Sequence, residues 1–292
     1  MPMRSTKAGA AMDGDDNSNE GTRGLVSAGS FALIVAQGFG RRPSAEIERA
    51  LRHMGLRPEG VAADGQGGLL ATRPDAPTFH LRLGATELIA GPAGAAALDL
   101  ADPDAPATSQ LAAGLPPDWR GAGRCWAFVA PGGAIPSAGG GQATRMRELF
   151  KTLVLLIDLF DASHIFWSPA RLWSDAPQFR AAVAEMLTSG MPPVLHLVAF
   201  RRHETARGAH VGTRGLAAFA GQELTAAIPA GWTVADMVRR LARLALDIMV
   251  NGPILETQRA RGLQQGEWVD LSPRLDADRG HAVVDVAFDR GG

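Results

Sequence analysis

The chain has 292 residues, of which 46% are hydrophobic and 20% charged, with a formal net charge of -1 at pH 7. That is the balance of a folded domain with a sizeable core, and it provides no global field to draw nucleic acid or an anionic membrane. A single cysteine, Cys125, excludes an internal disulfide, a cysteine-built zinc site and an iron–sulfur cluster, and the lack of any Tyr removes the phenol as acid, base or nucleophile.

The residues 1–28 are small, polar and acidic, centred on Asp13-Gly14-Asp15-Asp16-Asn17-Ser18-Asn19-Glu20. Such a segment buries too little apolar surface to offset its ordering entropy, so a disordered tail is expected, and deleting Met1 to Arg23 is expected to leave the fold intact. Met1 to Thr22 has no apolar secretory core. The longest aliphatic run, Leu153 to Ile157, stops at Asp158 and is far too short to span a bilayer. A soluble cytoplasmic protein is expected, with no membrane and no nucleic-acid partner.

Residues 29–290 read as one α+β domain, in mixed or antiparallel sheets packed with helices, with two βαβ-containing halves (29–117 and 118–290) as an option. Phe31 to Gln37 is an apolar run between glycines and predicts a buried strand. Ser44 is placed to cap a helix whose Ile47, Ala50, Leu51 and Met54 share one face and which Gly55 ends. Leu69 to Thr72, Phe79 to Leu83 and Glu87 to Ala90 predict strands, the second with Phe79, Leu81 and Leu83 alternating against His80 and Arg82. Pro92 to Pro117 is a connector with room for a short helix.

Cys125 to Ala130 predicts a strand and Pro131 to Gly141 a glycine-rich loop. Ala143 to Phe160 then predicts a long helix whose apolar residues cover most of its circumference, as expected of a central helix. Ile165 to Trp167 is the next strand. Ser174 or Asp175 caps a helix with Phe179, Val183 and Met186 inward, and Val194 to Phe200 is a further strand. Thr233 and Asp236 form a capping box for a helix reaching Val250. Glu267 to Leu271 and Ala282 to Phe288 close the sheet. Runs of strands interleaved with helices favour α+β over a doubly wound parallel sheet.

The familiar catalytic patterns fail on spacing. His203-Glu204-Thr205-Ala206-Arg207 has Arg207 where a zinc-protease helix needs its second His, and reads as a solvated loop. The glycines 132, 133 and 139–141 precede a helix, but Gln142-Ala143 follows where a phosphate loop needs Lys and Ser or Thr. No Gly-x-Ser-x-Gly elbow occurs. Cys125, inside a strand, reads as a buried structural thiol. Arg239, Arg240 and Arg243 read as the solvated face of a helix. Trp167 and Trp173 flank Ser168-Pro169-Ala170-Arg171. Two indoles and a guanidinium so close make either a recognition surface or an internal cation–π packing, and both readings stand.

Leu153 to Trp167, ending in Asp161-Ala162-Ser163-His164-Ile165-Phe166-Trp167, resembles the helix–strand segment of the bacterial family called domain of unknown function 4261. Thr213-Arg214-Gly215-Leu216-Ala217-Ala218-Phe219-Ala220-Gly221-Gln222-Glu223-Leu224 is similar to its Thr-x-Gly-Leu-x-x-Phe-Gly-x-x-Glu-Leu signature. Asn251-Gly252-Pro253-Ile254-Leu255 resembles the end of its last helix. Glu256-Thr257-Gln258-Arg259 departs from the Gly-Asp-Thr-like turn that usually follows. The resemblance implies an α+β domain and carries over no catalytic residue or cofactor.

The residues left without a purely structural account are His164, Trp167, Arg171, Trp173, Asp175, Arg214, Gly215 and Glu223. Two functions from different classes follow. The first is a non-enzymatic binding or accessory domain contacting a protein partner through these residues, with no metal and no cofactor implied. The second is an enzyme with an unfamiliar site built from His164, Arg171, Asp175, Arg214 and Glu223, which requires those side chains to meet in one place. An immunity or secretion-accessory role is a further alternative, by class analogy alone. Glu223 itself is expected either to pair with Arg214 or Arg171 or to serve such a site.

Overall fold

A computed structural model describes residues 30–62, 67–72, 76–84, 86–112, 114–131, 142–206, 208–276 and 281–290. The expected tail, the glycine clusters at 132–141 and Arg207 lie outside the described residues. The chain folds as α+β, in two sheets. The first contains β1 (Phe31–Ala36), β2 (Glu59–Gly60), β3 (Phe79–Leu83), β4 (Thr86–Pro92), β5 (Ser109–Gln110), β6 (Cys125–Val129), β7 (Ala162–Trp167) and β8 (Leu172–Asp175), in the order β2-β3-β4-β6-β1-β7-β8-β5. The second contains β9 (Ala199–Thr205), β10 (Gly208–Arg214), β11 (Gln222–Ala227), β12 (Gln258–Arg261), β13 (Glu267–Asp276) and β14 (His281–Arg290), in the order β12-β13-β14-β11-β10-β9. The helices are α1 (Ser44–His53), α2 (Ala95–Leu100), α3 (Gln142–Leu159), α4 (Ala176–Ser189), α5 (Val194–Leu197), α6 (Ala217–Ala220) and α7 (Val234–Asn251).

The unbroken apolar run of β1 is explained by its place. It lies between β6 and β7, antiparallel to both, and all six of its residues are buried. Ala32, Ile34 and Ala36 face the core under α1, α3 and α4, whereas Phe31, Leu33 and Val35 face a second core with Leu69, Ala97, Trp119 and Trp173. A strand covered on both sides loses its polar alternation. Strands from before residue 117 and after it thus share one sheet. The larger core continues through Leu197, Val211, Phe219 and Leu224 to Met237, Leu241 and Ala245 of α7, which packs on β10 and β11, so that one core runs through both sheets. Among the described residues no helix is long and apolar enough to cross a membrane.

Several elements differ from the sequence reading for identifiable reasons. Val194 to Phe200 is not one strand. Pro193 is the N-cap of a helical turn in which Val194 and Leu197 are buried and Leu195 exposed, a spacing of three, and the strand starts only at Ala199. Leu69 to Thr72 makes a single bridge, Leu70 to Ala93, because Pro92 has no N–H to return the bond that Ala71 donates to it. Pro43, not Ser44, is the N-cap of α1, and no side chain caps it. The segment around His203 is no loop: it forms the exposed end of the β9–β10 hairpin, where His203 lies opposite His210.

The long helix α3 is amphipathic rather than wrapped on all sides. Leu149, Phe150, Leu153, Leu156, Ile157 and Phe160, just past its end, are buried, while Arg147, Lys151 and Asp158 are exposed. Its apolar face lies against α4, β4 and β7. Leu153→Ala is expected to cost about 2–5 kcal/mol through lost contacts and a cavity. Urea unfolding measures this, and a loss below about 0.5 kcal/mol would place the side chain at the surface.

Candidate functional site

The two sequence segments singled out above meet in space and form the joint between the sheets. Ser168 to Arg171 is the turn of the β7–β8 hairpin, closed by the Arg171 N–H donating to the Ser168 carbonyl at 3.0 Å. The Ser168 hydroxyl accepts from the N–H of Phe31 at 2.8 Å, so it fixes the start of the central strand. Ala170 is fully buried against Gly215, which has φ +100. A Cβ on Gly215 would stand 2.8 Å from the Ala170 Cβ and 2.7 Å from the Leu197 carbonyl, so only glycine fits there. Trp167 stacks on Phe219 with ring centroids 6.2 Å apart.

Glu223 has a structural account. Its buried carboxylate accepts from the Thr213 hydroxyl at 2.7 Å and from the backbone N–H groups of Gly215 (2.7 Å), Leu216 (3.3 Å) and Ala217 (3.1 Å). The expected guanidinium partner gives way to four donors of the segment it follows. Chain reversal at 215–217 leaves those amides unpaired by either sheet, and one carboxylate satisfies them. Beside it, the Gln222 amide, oriented so that both its atoms are satisfied, donates to the Ile254 carbonyl at 3.2 Å and accepts from the Ile254 N–H at 2.8 Å.

Trp167 and Trp173 do not make a recognition surface. Both are buried, and alternation along the hairpin sends them to opposite cores. Trp173 packs on Trp119 and Phe166, and its indole N–H donates to the Ala101 carbonyl at 2.7 Å. Arg171 does not lie across either ring; its guanidinium donates to the Leu100 carbonyl at 3.1 Å.

His164 and Asp175 are directly opposite one another on β7 and β8, with Nε2 and Oδ1 3.7 Å apart. Asp175 is the N-cap of α4, but its side chain makes no capping bond. A register shift against Val35 and Ala36 marks an irregularity beside Ser163, and the Ser163 hydroxyl lies 2.9 Å from His164 Nδ1. Ser174 lies 3.1 Å from Nδ1 of His196, whose pKa is lowered by burial and partly restored by the charge of Asp175. The five residues of the enzyme reading therefore separate into three places: His164 with Asp175, Glu223 in its latch, and Arg171 with Arg214.

That last pair belongs to a basic cluster. Arg201 and Arg214 both donate to the Ala107 carbonyl at 2.9 Å, Arg201 also reaches the Pro106 carbonyl, and Arg171 holds Leu100 of the same connector. Arg201 was hidden in the sequence because it precedes the His203 motif and reads as one more charge of a solvated segment. Only the pairing of β9 with β10 places Arg201 beside Arg214. The pKa of Arg171 is lowered, first by burial and then by the charge of Arg201.

Other sequence readings resolve simply. Arg240 is not on a solvated face: it is buried and paired with Glu267. Thr233 and Asp236 form the expected capping box, and the hydrogen bonds from the Thr233 hydroxyl and N–H and from Arg239 hold the Asp236 carboxyl well below the usual range. Among the described residues no group of three or more His, Cys, Asp or Glu is placed to hold a metal ion. A groove of about 360 Å³ lies between Gln222, Ile254 and Leu275, and none of the candidate residues from the sequence lines it.

Cys125 is buried, donates to the Trp119 carbonyl at 3.0 Å, and has its thiol pKa pushed up to about 12 by burial. Native protein at pH 8 is therefore expected to react with a thiol-directed disulfide reagent at least about tenfold more slowly than denatured protein, since the thiolate is the nucleophile. Equal rates would show an accessible thiolate.

No protein-family model, curated protein or solved structure matches the chain. The likeness to domain of unknown function 4261 rests on the quoted segments alone.

Proposed function

We propose that this chain acts by binding an anionic protein partner and not by catalysis. The observation that supports this is the convergence of Arg171, Arg201 and Arg214 on the carbonyls of the 100–107 connector. The guanidinium groups of Arg171 and Arg201, held in place by neutral carbonyl acceptors, keep their charge uncancelled by those bonds, and that charge is available to an acidic surface. Glu223 is engaged in the joint between sheets, while His164 and Asp175 stand apart from it on β7 and β8, with His164 Nε2 buried and, among the described residues, not hydrogen-bonded. The competing reading, an enzyme, has one specific feature in its favour: Ser163, His164 and Asp175 stand in a row. The spacing of 3.7 Å at its second step exceeds a hydrogen bond, and the Ser163 hydroxyl also reaches the Val35 carbonyl at 3.4 Å.

Fluorescence anisotropy with labelled peptides separates the readings. A peptide rich in Asp and Glu is expected to bind at low salt, to weaken as salt rises, and to lose affinity at least about tenfold on Arg201→Glu, while a Lys-rich peptide does not bind. Binding indifferent to peptide charge and to Arg201→Glu would end the proposal. So would turnover of any small molecule that disappears on His164→Ala.

A further inference from the structure

We propose that the surface where segment 100–108 meets Arg171 and Arg201 binds a phosphate monoester group, an inference that rests on the anionic-partner reading and narrows it. Four observations converge there. Arg171 takes a left-handed backbone conformation, φ +47, as the residue that closes the β7–β8 turn. Its Nε is buried and hydrogen-bonds nothing in the protein. The Thr108 hydroxyl is likewise buried with no partner, and it sits beside Arg171 because the N–H of the next residue, Ser109, donates to the Arg171 carbonyl at 2.8 Å. Finally, the charges of Arg171 and Arg201 oppose each other, and among the described residues neither forms an ion pair with a carboxylate.

The last three of these have a cost to the fold that one ligand removes. Buried donors left unmade are rare in folded proteins and are satisfied by an acceptor brought to them. The acceptor must reach a guanidinium N–H and a hydroxyl together and must offset two neighbouring cations. A carboxylate carries one charge. A phosphate monoester carries close to two at neutral pH and has three terminal oxygens, so it serves Arg171, Thr108 and Arg201 at once. Arg201 is partly exposed, so the site opens to solvent. Arg214, bound to the same Ala107 carbonyl as Arg201, adds a third positive charge to the field. Two idle buried donors and adjacent like charges are difficult to explain as a clamp for the connector, because the guanidinium-to-carbonyl contacts achieve that without them.

The test uses the full chain at low ionic strength, with calorimetry and thermal unfolding. Four probes are used: inorganic phosphate, sodium chloride at matched ionic strength, a short phosphoserine peptide, and the same peptide with Ser or Glu in place of phosphoserine. The expected result is a rise in Tm with phosphate beyond that with chloride, and an affinity for the phosphoserine peptide at least tenfold above that for the Ser and Glu forms. Tighter binding of inorganic phosphate than of the phosphoserine peptide also supports the site, and assigns it to a small phosphate ester. Thr108→Val removes the hydroxyl at constant shape and is expected to weaken phosphate binding at least threefold; Arg201→Gln is expected to weaken it at least tenfold. If Arg201→Gln fails to fold, Thr108→Val and phosphorus NMR line broadening decide. Equal effects of phosphate and chloride overturn the inference. Equal binding of the Glu and phosphoserine peptides overturns it too, yet leaves the anionic-partner reading in place. If neither inorganic phosphate nor any acidic peptide binds, both fall.

Discussion

Arg240→Met is expected to destabilise the fold by about 3–5 kcal/mol, the range for removing one member of a buried ion pair. Arg240 donates from Nε to Glu267 Oε1 at 2.6 Å and from a terminal nitrogen to Oε2 at 2.9 Å, with the two side chains only 5% and 1% exposed. The guanidinium also lies 3.9 Å from the centroid of the Trp232 ring, and Glu267 accepts from the Gln264 N–H at 3.3 Å. The pair fastens α7 to β13. Removing the arginine leaves a carboxylate in the interior, and its desolvation cost dominates. The double variant Arg240→Met, Glu267→Leu should recover most of the loss, since neither charge is then buried. Urea unfolding of both variants measures this. A single-variant loss under about 1 kcal/mol would show a solvated pair.

Glu223→Ala should cost about 3 kcal/mol or more, because several buried donors lose their acceptor together and each such group costs about 1–3 kcal/mol. Glu223→Gln keeps the shape but presents an NH2 to N–H donors, so an intermediate loss is expected. Hydrogen exchange gives the sharper readout. The amides of Gly215, Leu216 and Ala217 should lose protection in Glu223→Ala while those in the middle of β1 keep theirs, as a local opening requires. Unchanged exchange at 215–217 would mean that the latch does not hold the segment.

Both residues show how far the sequence could be read. Periodicity located α1, α3, α4 and α7, and the alternation of Phe79, Leu81 and Leu83 located β3, because those patterns record which face is buried. The capping box of α7 was legible because its two partners are three residues apart. Long-range pairing leaves no such trace. Arg240 reads as a surface charge because Glu267, which justifies its burial, lies on another element. Glu223 reads as a candidate catalyst because its partners are amides, which have no letter in the sequence. Trp167 and Trp173 are near in the chain yet belong to opposite cores, since Trp173 stands opposite Phe166 and the next residue along the strand, Trp167, faces the other way. Arg171, Arg201 and Arg214 come together only through the pairing of β9 with β10 and the packing of Gly215 on Ala170.

The position of β1 also dictates the order in which the molecule can assemble. The strand is synthesised before both of its partners, which are β6, in the register Phe31 to Val129, and β7, in the register Ala32 to Trp167. Until the second of these has been synthesised, the most apolar strand of the protein has an open edge, a state in which chains pair with one another. Loop closure over such separations slows folding more than it weakens the finished fold. Nascent chains halted before residue 167 should therefore depend on holding chaperones, and refolding yield should fall with protein concentration even where equilibrium stability is ample.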